Sequence, residues 1–151
     1  MNTLQEILGN RMLMTAIAAW AIAQVIKTLV FFAVNKELDL SRLTGDGGMP
    51  SAHSATVTAL AVRACIEYGP GSGVFAVAAI LAVVVMHDAM GVRRESGKHA
   101  QAINELVDLL DLLNPDIQMD VKLKEFIGHT PSQVVAGAVL GLIVACVSGM
   151  L

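Results

Sequence analysis

The chain has 151 residues, of which 55% are hydrophobic and only 15% charged, and its formal net charge is −3. Soluble domains carry nearer ~25% charged residues, so this chain, with a mean hydropathy of +0.65, has too few charges to cover a water-facing surface. An ordinary soluble domain is therefore excluded, and with no dense Lys/Arg stripe no nucleic-acid partner is expected.

No basic residue precedes Arg11, and no small-residue cleavage site follows the apolar run behind it. That run is expected to be a retained helix and not a signal peptide. It extends from Met12 to Val34, broken only by Thr15, Gln24, Lys27 and Thr28. At ~1.5 Å per residue it is long enough to cross a hydrocarbon core of ~30 Å. The polar stretch Asn35 to Pro50 follows, with turn residues Gly45, Asp46, Gly47 and Gly48. Ser51 to Tyr68 is a second apolar segment, rich in Ala and Val, and a Gly/Pro turn over 69–73 leads to a third, Val74 to Met90.

From about residue 94 to 113 the pattern changes. Ala100, Ile103, Val107, Leu110 and Leu113 recur at helical spacing, with Glu95, Lys98, Glu105, Asp108 and Asp111 between them. This predicts an amphipathic helix lying on the membrane or on the bundle, ended by Asn114 and Pro115. Asp116 to His129 is a polar connector with a short helical patch over 122–127, and the last apolar segment runs from Pro131 to Leu151. The expectation is one all-α membrane domain over 1–151: a helical bundle of about four crossings (12–34, 51–68, 74–90, 131–151) plus the interfacial helix.

Four crossings put both long loops on one side, with Lys36, Arg42, Arg93, Arg94, Lys98, Lys122 and Lys124; the other side has Arg11 and Arg63. The positive-inside rule places those loops in the cytoplasm. Arg63 reads as an anchor at the opposite interface. Cys65 and Cys146 lie in apolar runs and read as packing thiols. Gly137 and Gly141 form a Gly-xxx-Gly pair that packs helices closely and leaves a homo-oligomer open.

Two helix starts carry candidate chemistry. In Gly47-Gly48-Met49-Pro50-Ser51-Ala52-His53-Ser54, Pro50 suits a first helical turn. Free N–H groups there attract anions, Ser51 adds a hydroxyl, and His53 titrates near neutral pH. The alternative is a glycine turn, a serine cap and an interfacial histidine. In Gly128-His129-Thr130-Pro131-Ser132-Gln133, Thr130 and Gln133 match a capping box. Capping leaves His129 unexplained, and a histidine at a helix entrance suits a nucleophile or a ligand. Lys27, inside the first crossing, costs ~2.5–3.5 kcal/mol on insertion scales. It either reaches up to a pocket or snorkels to the interface. Arg93 and Arg94 lie at the same level, and Asp88 is a partner for Arg93, Arg94 or Lys27. With no close His–His or Cys–His spacing, no metal site is expected.

These residues resemble a known superfamily. Pro50-Ser51-Ala52-His53 is similar to the Pro-Ser-Gly-His motif of the type 2 phosphatidic acid phosphatases, a superfamily that includes vanadium haloperoxidases. His129 to Gln133 with Ala136-Gly137 resembles its last motif, a nucleophilic histidine followed by Pro-Ser/Thr-Asp. The nearest likeness is to the short divergent branch known as acid phosphatase/vanadium-dependent haloperoxidase-related proteins. It rests on the Gly-Met-Pro-Ser-x-His-Ser run, Asp88-Ala89-x-Gly91-Val92-Arg93-Arg94, Gly97-Lys98, and Leu123-Lys124-Glu125-x-x-Gly128-His129-Thr130-Pro131.

The resemblance implies that His129 attacks phosphorus to form a phosphohistidine and that His53 protonates the leaving alcohol. Ser51 would hold phosphate oxygens, with Lys27, Arg93, Arg94, Lys122 and Lys124 supplying positive charge and Gln133 orienting His129. No cofactor is implied. The departures are Ala52 for glycine, Gln133 for the orienting aspartate, and Leu123 where an arginine is expected six residues before His129. His99, six residues after Arg93, is a rival for the nucleophile, but no acid follows four residues later and no Pro-Ser follows at all. The expectation is a membrane phosphatase acting on a lipid phosphate monoester or a pyrophosphate-linked lipid. The alternative is a non-catalytic membrane protein that binds a phospholipid or anion in a degenerate pocket. A transporter fits less well, because no inverted repeat is present.

Overall fold

The computed structural model describes residues 2–37, 47–113, 122–123 and 128–150. Six helices follow in order: α1 (Thr3–Gly9), α2 (Arg11–Asn35), α3 (Ala52–Tyr68), α4 (Gly73–Met90), α5 (Val92–Leu113) and α6 (Pro131–Met150). The ends of α2, α3, α4 and α6 lie within a residue or so of the apolar runs, because side-chain caps stand where those runs begin. Asn10 accepts from the Leu13 N–H, Ser51 from Ser54 and Ser72 from Phe75. The short α1 was not expected; its signal is the Asn2/Gln5 capping box.

The bundle is small inside and large outside. Among the described residues the buried aliphatic side chains are alanines, save Val57 and Val134. Large apolar residues such as Val77, Ile80, Val83 and Val135 face outward. A soluble core shows the reverse. Between helices in lipid there is no water to expel, so association rests on close backbone approach, which small residues allow. Three segments are long and apolar enough to cross a membrane: α2, the stretch containing α4, and α6.

The remaining bundle helix, α3, is central and packs on α2, α4 and α6. With 17 residues it is ~26 Å long. It is also less apolar than its neighbours, which is consistent with its being covered by protein and not by lipid. The Gly-xxx-Gly pair is used within the chain. A Cβ on Gly137 would strike the Ser51 carbonyl oxygen, and one on Gly141 the Ala55 carbonyl oxygen. The α3–α6 contact therefore runs backbone to backbone.

After Gly91 the chain enters α5. Gly97, Ala100 and Asn104 are buried, while Leu106, Leu109, Leu112 and Leu113 are exposed. Asn104 holds the 122–123 segment by a reciprocal pair: its Nδ2 donates to the Leu123 carbonyl and its Oδ1 accepts from the Leu123 N–H, both at 2.9 Å. Asn104→Leu removes both bonds and leaves a backbone N–H and C=O without these partners. A local loss of about 1–3 kcal/mol is expected, read as faster amide hydrogen exchange at Leu123 with little change in the global melting temperature. Both cysteines are free, Cys65 half-buried and Cys146 exposed.

Candidate functional site

Three chain reversals meet at one end of the bundle: the Gly47–Pro50 approach to α3, the Gly91 corner between α4 and α5, and the Gly128–Thr130 approach to α6. Backbone bonds tie them together. The Ser51 N–H donates to the Gln133 carbonyl at 3.0 Å, and the His129 N–H donates to the Ala89 carbonyl at 2.9 Å. Gly128, with φ +91°, packs so tightly on the start of α5 that a Cβ there would collide with the Arg94 backbone. Both its left-handed conformation and that contact favour glycine.

His129 is thereby fixed at the joint of α4, α5 and α6, and it is only 2% exposed. Its ring meets that of His53, in the first turn of α3, edge to face, with centroids 5.7 Å apart and planes at 77°. Two histidines 76 residues apart in sequence are thus neighbours. His129 lines a cleft of about 280 Å³ together with Gly47, Gly48, Arg94, Gly97, Lys98, Gln101, Gly128, Thr130 and Gln133, while His53 reaches it only through its contact with His129. That volume is at the low end for a small-molecule site, a size suited to a headgroup and not to acyl chains.

The expected site residues divide into those at this cleft and those elsewhere. Arg94 lines it. Lys27 is buried, at 4% exposure, and its stem runs beneath Gly48: a Cβ on that glycine would lie 3.1 Å from the lysine Cγ. Gln24 and Thr28 share that buried face of α2. Gln133 lines the cleft, and its Oε1 accepts from the Thr130 N–H at 3.0 Å. That oxygen is committed to the α6 cap.

Other expectations need correction. Ser51 has no exposed surface and does not line the cleft. Its hydroxyl accepts from the Ser54 N–H and from Ser54 Oγ, at 3.3 and 3.0 Å, and Gly137 closes over its carbonyl. The hydroxyl expected on the phosphate is instead the cap of α3. Arg93 turns away from the cleft, its Nε bonded to Asp88 Oδ2 at 2.9 Å. Adjacent helical residues point ~100° apart, so Arg93 and Arg94 do not share one target. Lys122 is exposed and lies 3.8 Å from Asp108. Lys124 lies outside the described residues. His99, the rival nucleophile, is exposed on α5 and not part of the cleft wall.

Lys98 and Gln101 were missed as site residues. With Arg94 they form a stripe at i, i+4 and i+7 spacing along α5, and that spacing was the available signal. Lys98 Nζ also bonds Glu95 Oε1 at 2.7 Å. This hydrogen bond first, and the lysine charge second, hold the Glu95 carboxyl below its usual range. The Glu95 pair therefore persists at neutral pH and is lost as the pH falls through that lowered value.

The sequence matches the family described as the Divergent PAP2 family over residues 8–144. It is also 43% identical over 151 aligned positions to the uncharacterized membrane protein YuiD of Bacillus subtilis, with 94% of this chain and 96% of that protein covered. No solved structure matches.

Proposed function

The chain belongs to the Divergent PAP2 family, as an integral membrane helical bundle, and from that premise we propose that it hydrolyses a lipid phosphate monoester or a pyrophosphate-linked lipid. The observation that carries this reading is the meeting of His53 and His129 beside a cleft with Arg94 and Lys98 on its wall. The site faces the cytoplasm of a bacterial membrane, where a headgroup enters the cleft and the tails stay in lipid alongside the exposed leucines of α5.

In the proposed reaction an imidazole nitrogen of His129 attacks phosphorus. The N–P bond forms as the P–O bond to the alcohol breaks, and protonated His53 gives its proton to the leaving oxygen. Neutral His53 then takes a proton from a water whose oxygen attacks phosphorus. The N–P bond breaks, releasing phosphate and restoring His129. Arg94 and Lys98 neutralise the charge gathering on the phosphoryl oxygens, with Lys27 beneath the glycine loop adding to the field. Ser51 acts as a positioning residue, joining the start of α3 to α6.

The test is phosphate release from a panel of lipid phosphates by the purified protein in mild detergent, with acid-labile, base-stable phosphoprotein trapped by rapid quench. Turnover with a trapped phosphohistidine supports the phosphatase. A second reading, a non-catalytic binder of phospholipid or anion, is favoured by the commitment of Gln133 Oε1 to the cap. Its signature is bound phosphate without release, and Gln133→Asp is then expected to bring turnover up from background. On either reading Glu95→Gln frees Lys98, and inorganic phosphate should bind roughly two- to fivefold more tightly by calorimetric titration. Unchanged affinity would remove Lys98 from the anion site.

A further inference from the structure

A second cluster lies at the opposite end of the bundle. Arg63 stands twelve residues after Ser51 on α3, roughly 18 Å along the helix from the His129 end. It is buried, at 4% exposure. Its Nε lies 3.5 Å from Glu67 Oε2, beyond good hydrogen-bond geometry. Among the described residues neither Nε nor Nη1 has a hydrogen-bond partner. A buried guanidinium with donors left over is costly unless something accepts from it.

The surroundings indicate what that acceptor is. Arg63 lines a cavity of about 370 Å³ with Arg11, Met14, Thr15, Ala18 and Ser148, built by the start of α2 and the ends of α3 and α6. Thr15 Oγ1 and Ser148 Oγ bond each other at 3.1 Å, and Ser148 also donates to the Ala145 carbonyl. The donors left for a ligand are therefore the two arginines. Among the described residues the carboxylate facing Arg63 is that of Glu67, so the side chains of Arg11, Arg63 and Glu67 together carry +1. Gly149 keeps room for the guanidinium: a Cβ there would lie 3.2 Å from Nη1. The rest of the wall is apolar, with Met14 and Ala18 on the outward side of α2. Paired arginines suit the oxygens of a phosphate, and the apolar wall suits what is attached to it.

We propose that this cavity is a second anion site, which holds the phosphate of an anionic lipid in the leaflet opposite the His129 cleft. Arg63 is the buried donor and Arg11 the donor at the rim. The assignment does not depend on catalysis at His129.

The full-length protein in neutral detergent micelles would be titrated calorimetrically with short-chain phosphatidylglycerol, short-chain phosphatidylcholine and inorganic phosphate. Wild type, Arg63→Gln, Arg11→Gln and Arg94→Gln would be compared. Binding of phosphatidylglycerol over phosphatidylcholine, weakened about tenfold or more by loss of either Arg63 or Arg11 and kept by Arg94→Gln, supports the site. Equal dependence of inorganic phosphate on Arg63 and Arg11 supports the same oxyanion chemistry with free phosphate as its source. Arg11 is exposed, so Arg11→Gln decides the matter if Arg63→Gln does not fold. Loss of binding in Arg94→Gln alone, or no preference for anionic lipid in wild type, overturns the proposal and leaves Arg63 an interfacial anchor paired with Glu67.

Discussion

His129→Asn is expected to abolish phosphate release, by roughly 10³-fold or more, if the residue is the covalent nucleophile, because asparagine forms no phosphoryl intermediate. The fold should survive. The anchoring of residue 129 runs through its backbone N–H to Ala89, which asparagine keeps, so the melting temperature should fall only modestly. His53→Ala is expected to cost less, roughly 10²–10⁴-fold. That variant should recover partly on substrates whose leaving group needs no proton, such as a nitrophenyl phosphate, whereas His129→Asn should not. Turnover by His129→Asn at the wild-type rate would remove the nucleophile from this position. Recovery of both variants alike on the activated ester would remove the division of roles between the two rings.

Gly137→Ala and Gly141→Ala are expected to be the most destabilising glycine-to-alanine changes within the membrane helices. Each new Cβ would meet a carbonyl oxygen of α3, and a backbone atom cannot rotate aside as a side chain can. Overpacking costs about 1–3 kcal/mol where neighbours yield, and here the helices must separate. The two variants should differ in activity. Gly137 presses on Ser51, whose carbonyl starts α3 two residues before His53, so the methyl shifts the histidine pair and lowers kcat in the molecules that remain folded. Gly141 presses on Ala55, a turn deeper, and should lower stability with a smaller effect on kcat. Thermal unfolding in detergent beside phosphate release separates the two effects. Wild-type melting temperatures for both variants would mean that α6 does not rest on α3 at these glycines.

Much of the architecture was legible from the chain because the bilayer imposes it. Long apolar runs bounded by Asn10, Ser51, Ser72 and Pro131 have few other ways to satisfy their backbone groups, so helix positions followed from composition and caps. What could not be read was rank among the helices. Periodicity treats α3 as one more apolar segment, and only packing makes it the axis on which three others lie. Its alanines at 52, 55, 59 and 64 were the available clue. In the same way, Gly137 and Gly141 announced a close helix contact but not whose helix would fill it.

The site was legible where chemistry and capping diverged, and obscured where they coincided. His129 stood out because no capping role accounts for it. The Ser51 hydroxyl suits a phosphate ligand and a helix cap equally well in sequence, and in the structure it accepts from the Ser54 N–H and Oγ as the cap of α3. Arg93 and Arg94 were indistinguishable in sequence, since a helical turn separates their directions only once the helix is placed. The spacing of Ala100, Ile103, Val107, Leu110 and Leu113 marks α5 as amphipathic, whereas the polar stripe of Arg94, Lys98 and Gln101 gains meaning only once the cleft is placed beside it.

The alanine interior has a consequence for how such a protein can change over generations. Buried alanine loses no rotamer entropy on folding, and it can neither grow without pushing backbones apart nor shrink except to glycine. Outward positions such as Val77, Ile80 and Val135 face a disordered solvent that accepts almost any apolar shape. Substitution between related chains should therefore accumulate at the large residues and spare the small ones, the opposite of the pattern in a water-soluble core of leucines and phenylalanines. A saturation library scored for membrane insertion would show it as a stripe of intolerance running along the alanines and glycines of α3 and α6.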